Sequence, residues 1–227
     1  MLNRSGTKKD EQFTKWKDYM VSMGYGYPLG VDLPHEKRGF IPNTEFYNKA
    51  LKTEDWTANS IISISIGQGE ILATPLQIAN LCATIANRGF FYTPHIVKDI
   101  EGKGLDAKYK EKHVVPVKTD YYEAVAEGMR MAVLGGTCKG ANLPGIEVCG
   151  KTGTAQNPHG KDHSAFMGFA PYHDPKIAVV AYVENAGFGA TFGVPIGSLM
   201  IERYLNGKIS PERKGVESGM KSHNVAG

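Results

Sequence analysis

Lys151, Thr152, Gly153 and Thr154 form the most chemically suggestive stretch of the chain, and two readings compete for them. With the residues before them, Gly145-Ile146-Glu147-Val148-Cys149-Gly150-Lys151-Thr152 fits the phosphate-loop pattern G-x-x-x-x-G-K-T letter for letter. A phosphate loop needs a strand before its first glycine and a helix opening at the Lys-Thr pair, so that amides and helix dipole point at phosphate. Here Gly140-Ala141-Asn142-Leu143-Pro144 is turn chemistry, and Gly153-Thr154-Ala155-Gln156-Asn157-Pro158-His159-Gly160 opens no stable helix. The alternative is a strand, on which alternation puts Lys151 and Gly153 on one side and the two threonines on the other. At a sheet edge such a strand offers its backbone to an extended peptide. The glycine allows close approach, and the ammonium and hydroxyl groups suit a carboxylate.

The remaining candidates are weaker. His159 and His163 stand at i, i+4 with His173 nearby, a spacing that suits a metal only on a helix, and Pro158 and Gly160 deny that helix. A solvated loop on the rim of a site is the expectation, with no metal and no cofactor. Asp32 and Glu70, single carboxylates in turns, are expected to cap backbone or stay hydrated. Trp16 and Trp56 read as packing residues. Cys82, Cys138 and Cys149 make an odd set without a C-x-x-C pair, which excludes a disulfide framework and a structural zinc site; a Cys138–Cys149 bridge stays open for an oxidising compartment. Ser5-Gly6-Thr7-Lys8, a serine three residues before a lysine, runs into Lys9-Asp10-Glu11-Gln12, a stretch too polar to bury.

Composition limits what such groups can serve. With 227 residues, 41% hydrophobic and 22% charged, the chain has enough apolar material for one or two cores. Its net charge of +3 makes no basic face for nucleic acid. The longest apolar run, residues 177–183, is far short of the roughly 20 residues that span a bilayer, and the first residues show no apolar signal region. A soluble chain without an address is expected.

The elements that must position Lys151 follow from periodicity. Phe13, Trp16, Met20 and Met23, stopped by Gly24, predict an amphipathic helix over 10–23. Residues 25–55 hold Gly, Pro, Asn and aromatics without a sustained period and read as a long ordered excursion. The β-branched run 61–66 predicts a strand entering the turn Gly67-Gln68-Gly69-Glu70. Thr74 as cap, Pro75 at the first helical position and Gln77 completing a capping box start a helix with Ile78, Leu81, Cys82 and Ile85 as its stripe. Residues 90–117 read as strands around a charged turn at 101–104. A second helix over 119–134 should turn Tyr122, Val125, Met129 and Val133 inward and end at Gly135-Gly136. Beyond it, 146–149, 164–169 and 176–183 read as strands with short turns, which favours an antiparallel sheet. A loop at Gly187-Phe188-Gly189-Ala190-Thr191, a helix over 195–205 and a polar tail complete the chain.

Several of these segments, in order, carry a family likeness. Lys151-Thr152-Gly153-Thr154-Ala155-Gln156, then Phe166-Met167-Gly168-Phe169-Ala170-Pro171 and the strand from Ile177, resemble the end of a penicillin-binding protein transpeptidase domain. Gly67-Gln68-Gly69-Glu70 with Ala73-Thr74-Pro75-Leu76-Gln77-Ile78-Ala79 resembles the same domain. Gly24-Tyr25-Gly26 with Gly30-Val31-Asp32-Leu33-Pro34 resembles its class B, elongation-type branch. The resemblance implies an α+β fold, a mainly antiparallel sheet packed with helices, and three site motifs, S-x-x-K, S-x-N or S-x-D, and K-T-G. Residues 1–205 would be the C-terminal portion of that domain, carrying only the third motif and without its nucleophile, and 206–227 a flexible tail.

Carried over, Lys151 would keep the site electropositive, Thr152 and Thr154 would bind substrate carboxylate, and the Thr154 amide would form half an oxyanion hole beside Gly153. The substrates implied are peptidoglycan stem peptides ending in D-Ala-D-Ala, with β-lactams as their mimics. The parent would be anchored in the inner membrane, working in the periplasm with a shape-determining glycosyltransferase. This chain alone would be inactive. A D,D-carboxypeptidase, a β-lactam sensor or a non-catalytic peptide-binding module are the alternatives.

Overall fold

The structure, a computed structural model, describes residues 9–223. Its elements follow as α1 (Lys9–Ser22), α2 (Thr44–Leu51), α3 (Pro75–Ala86), β1 (Phe90–Tyr92), β2 (Lys112–Val114), α4 (Thr119–Leu134), β3 (Cys149–Ala155), β4 (His163–Ala170), β5 (Ile177–Val183), α5 (Gly193–Asn206) and α6 (Lys214–Ser222). The class is α+β with antiparallel pairing, as the sequence implies. Residues 9–77 with Tyr92–Pro116 form one compact unit, and Ile78–Phe91 with 117–223 form the other.

The first unit is built on aromatic rings. Phe13 of α1 lies with its ring centre 5.2 Å from Trp16, 5.5 Å from Tyr47 and 5.4 Å from Trp56. The polar ends of these rings find partners: Trp56 Nε1 donates to Asn48 Oδ1 at 2.7 Å and Tyr47 OH to Glu70 Oε2 at 2.7 Å. Two expectations fail here. Within the excursion over 25–55 the chain forms α2, begun by Asn43, whose Oδ1 accepts from Phe46 N at 2.8 Å. The run 61–66 is no strand but the end of a 3-10 helix, Ala58–Ile66, closed by Gly67 at φ 74°. The reason is the aromatic cluster, against which Ile61 and Ile64 pack while Ile62 and Ile66 stay exposed. Inward residues three apart fit a 3-10 turn, whereas a strand would need two.

The start of α3 is as expected. Thr74 N donates to Gln77 Oε1 at 3.0 Å and Gln77 N to Thr74 Oγ1 at 3.1 Å, a reciprocal capping box. Gln77 is buried and also donates through Nε2 to the carbonyls of Tyr27 and Arg38, so one side chain fastens the loop before it.

In the second unit the sheet runs β3-β4-β5, antiparallel throughout, with β3 at one edge. Its core joins Val133 of α4, Val148, Phe166 of β4, Val179 of β5, and Val194 and Ile201 of α5. The inward face of α4 is Tyr122, Ala126, Met129 and Val133; Val125, expected inside, is 48% exposed. The strand predicted over 146–149 starts at Cys149, because Gly145 turns the chain at φ 74° and Ile146 pairs back on Leu143.

Phe166, 1% exposed, sets how closely α5 meets the sheet. A methyl carbon at Gly197 would stand 2.3 Å from its ring, one at Gly150 2.5 Å and one at Gly168 2.6 Å. Glycines above and beside the ring let helix backbone and strand close on it, and burying such a ring contributes about 1.5–3 kcal/mol. The expected flexible tail is structured among the described residues. After Gly207, in the left-handed region at φ 71°, a short 3-10 turn leads into α6, and Arg213 pairs with the buried Glu202 of α5 at 3.5 Å.

Candidate functional site

Lys151, Thr152, Gly153 and Thr154 lie mid-strand on β3, opposite Met167, Phe166, Ala165 and Ser164 of β4. No helix begins at Lys151, so the phosphate-loop geometry is absent from these residues. No further strand lies beside β3 among the described residues, which leaves one side of its backbone unladdered. Alternation acts as expected. Lys151 is exposed, on the face where Gly153 lies over Ala165, and its Nζ donates to Thr152 O. On the opposite face a methyl carbon at Gly150 would strike the Phe166 ring, which buries that face against α5.

The threonines are held by neighbours that no sequence pattern announced. Thr137, just past the end of α4, has its Oγ1 2.8 Å from Thr152 Oγ1. Arg130 of α4 donates to Val148 O at 3.0 Å, tying that helix to the segment entering β3. Thr154 Oγ1 accepts from Gly189 N at 3.4 Å. Gly189 belongs to the loop at 187–191, and a methyl carbon there would stand 2.5 Å from Ala165 O and 2.6 Å from Gly153 O. Only a glycine lets this loop close on the strand pair. Thr137 stands 15 residues from Thr152, and only the packing of α4 beside β3 brings them together.

Cys138 lies close by. Burial pushes its thiol up, against the hydrogen bonds of Thr137 and the Thr152 backbone and the charge of Lys151, which pull it down. Burial also pushes Cys82 and Cys149 up to about 12. All three are free thiols in the structure.

The histidines take separate places. His163 opens β4 and its Nδ1 accepts from Asn185 N at 3.0 Å; His159 sits on the turn before it, where its amide donates to Asn157 Oδ1; the His173 ring rests on Tyr172 with centres 4.6 Å apart. Among the described residues no group of three His, Cys, Asp or Glu side chains could hold a metal ion. Asp32 caps, accepting from Ile96 N and from Val97 N at 2.7 Å, and these N–H groups hold its carboxyl below the usual range. The Glu36 carboxylate, unremarked in the sequence, accepts from the N–H groups of Leu29, Gly30 and Val31.

An edge strand that carries an exposed cation and two threonines can bind the carboxylate end of an extended peptide. Over residues 5–197 the sequence also matches the family described as the penicillin binding protein transpeptidase domain. The chain belongs to this family. It is 32% identical over 219 residues to the Haemophilus influenzae protein named peptidoglycan D,D-transpeptidase MrdA, covering 87% of this chain and 33% of that one. Pseudomonas aeruginosa PBP2, solved in complex with WCK 5153, is similar at TM-score 0.74 and 30% identity, over 88% of this chain and 44% of that chain. Helicobacter pylori PBP2, solved with MreC, is similar at TM-score 0.72 and 28% identity, over 86% of this chain and 36% of that chain. The chain thus spans about a third of the length of the curated relatives it matches.

Lys151-Thr152-Gly153 carries the letters of the K-T-G pattern and lies within the matched range. Ser5, which with Lys8 spells S-x-x-K, lies outside the described residues. A second literal match, Ser218-Gly219-Met220-Lys221, falls on the exposed helix α6. Lys221 Nζ there is 2.7 Å from Glu217 Oε1, and with Lys214 it holds that carboxyl down to about 2.

Proposed function

We propose that this chain is the K-T-G-bearing part of an elongation-type peptidoglycan D,D-transpeptidase. The observation that carries the reading is Lys151–Thr154 on an edge strand with the cation exposed, in a chain of the transpeptidase family. In the parent enzyme a serine attacks the carbonyl of the penultimate D-alanine of a stem peptide. Terminal D-alanine leaves, and the amine of a neighbouring stem attacks the acyl-enzyme ester to form the cross-link and release the serine. Lys151 would draw in the terminal carboxylate and favour proton movement near it, Thr152 and Thr154 would hydrogen-bond that carboxylate, and the Thr154 amide would donate to the oxyanion that develops on the attacked carbonyl. Gly153 lets the peptide backbone approach the strand.

No serine–lysine pair of the family's kind forms among the described residues, so this chain alone is expected to form no acyl-enzyme. The parent would be held at the inner membrane with this domain in the periplasm. It would act with a shape-determining glycosyltransferase, and the relative solved with MreC supports a place among elongation partners. Fluorescent penicillin tests the reading directly. The full-length parent should retain label after denaturation and this chain should not. A denaturation-resistant adduct on this chain, for which Ser5 is the first residue to map, overturns its inactivity, and an unlabelled parent overturns the transpeptidase assignment. Weak binding of a D-Ala-D-Ala peptide to the chain should be lost in Lys151→Ala.

A further inference from the structure

Three stretches of the second unit meet at the first turn of α5. The loop at 187–191 lies on β3 and β4 through Gly189, as described, and is fastened again where Ser164 Oγ donates to Phe188 O at 2.8 Å. The same Ser164 Oγ accepts from Gly193 N at 3.0 Å, and Gly189 O accepts from Val194 N at 2.9 Å. Phe192 at the N-cap offers no side-chain cap, so the open N–H groups of α5 are satisfied by the loop and by β4. Loop and helix start therefore order together.

The third stretch is the C-terminal one. Arg213 Nη2 donates to Ser198 Oγ at 2.7 Å, and Glu202 Oε1 accepts from Ser210 N at 3.0 Å, which pins the start of α6 to the middle and far end of α5. From there α6 runs back along α5, and the His223 ring, just past its end, meets the buried Phe192 edge-on, with centres 4.7 Å apart and planes at 68°. The strap is thus anchored at both ends, by a buried ion pair and by an aromatic contact at the base of the loop.

We propose that the segment from Ser210 to His223 is a strap that positions the loop at 187–191 against the K-T-G strand, making Arg213 and His223 positioning residues for whatever binds there. The substrate side of this proposal rests on the reading of β3 as the peptide-binding strand; the strap itself does not. Without it, the loop would keep its hydrogen bonds to Ser164 Oγ and Thr154 Oγ1 but lose the ring contact that seals its base, and a segment with few apolar contacts opens locally more readily.

Amide hydrogen exchange on the whole chain tests the strap. In His223→Ala the amides of Gly189, Gly193 and Val194 should exchange at least about 10-fold faster, while Met167 and Val180 in the sheet centre keep their rates. His223→Phe should restore the loop rates, and Arg213→Met combined with Glu202→Gln, which leaves no buried charge unpaired, should release them as His223→Ala does. Unchanged loop rates in both releasing variants overturn the proposal, as does an equal rise across loop and sheet, which would mean general loosening. Binding of a D-Ala-D-Ala peptide, followed in parallel, should weaken several-fold when the loop is released. A wild-type chain that binds no such peptide would count against the function proposed for β3 while the exchange data still decide the strap.

Discussion

Gly197→Ala should destabilise the chain, although alanine in place of a helical glycine ordinarily stabilises. Propensity alone gives a gain of about 1 kcal/mol. At Gly197 of α5, however, the added methyl carbon would stand 2.3 Å from Phe166 Cδ1 and 2.7 Å from Cε1, where carbon atoms pack best at about 3.5–4.0 Å. The ring cannot retreat, because Gly150 and Gly168 close on it from the sheet with ideal methyl positions 2.5 and 2.6 Å away. Overpacking of this kind costs about 1–3 kcal/mol and more where relaxation is blocked, so the net expectation is a loss of roughly 1–2 kcal/mol. In a chain of this length that lowers Tm by about 2–8 °C. Gly128→Ala in α4 is the matched control: nothing lies within 4 Å of its ideal methyl position, and it should raise stability by about 0.5–1 kcal/mol. Urea unfolding followed by far-UV circular dichroism measures both. Combining Gly197→Ala with Phe166→Leu should recover at least about 1 kcal/mol relative to the sum of the single changes. If Gly197→Ala stabilises as Gly128→Ala does, or the double variant is simply additive, the glycine cradle does not set the α5–sheet distance.

Phe13→Ala removes the hub of the aromatic cluster and should cost about 3–5 kcal/mol, with a red-shifted tryptophan emission from Trp16 and Trp56; an unshifted spectrum with unchanged stability refutes the cluster's role. The thiols of Cys82 and Cys149, pushed up to about 12 by burial, hold a thiolate fraction on the order of 10⁻⁴ at pH 8. An aromatic disulfide reagent should therefore leave the native chain unmodified and titrate three thiols in denaturant, and a fast-reacting native thiol would contradict the burial. Asp32, held below its ordinary 3.8 by the N–H groups of Val97 and Ile96, contributes stability that is complete above that value and lost as pH falls through its lower folded value. Asp32→Asn should lower the urea midpoint at pH 7, and its deficit should shrink below pH 4; a deficit that widens on acidification would reverse the sign.

What could be read from the sequence is what short-range chemistry controls. Thr74, Pro75 and Gln77 cap a helix through contacts within four residues, and Gly135 ends α4 for the same reason. Alternation around Lys151 placed it on a strand and excluded a coil around phosphate, since neither flank of Gly145–Thr152 can form the required elements. Tertiary packing decided the rest. Ile61 and Ile64 were drawn three apart onto Phe13, Tyr47 and Trp56, overriding the β propensity of their run. Ala126 displaced Val125 from the buried stripe of α4, because a small residue meets the core as well as a larger one and apolar identity alone does not choose between adjacent positions. The partners of Thr152 and Thr154, which are Thr137 and Gly189, and the anchoring of Arg213 on Glu202 join positions far apart or held close by folded elements. The residue types that do chemistry are legible in one dimension, but what each touches is settled only when α4, β3, the loop at 187–191 and α5 pack together, because burial and contact are properties of neighbours in space.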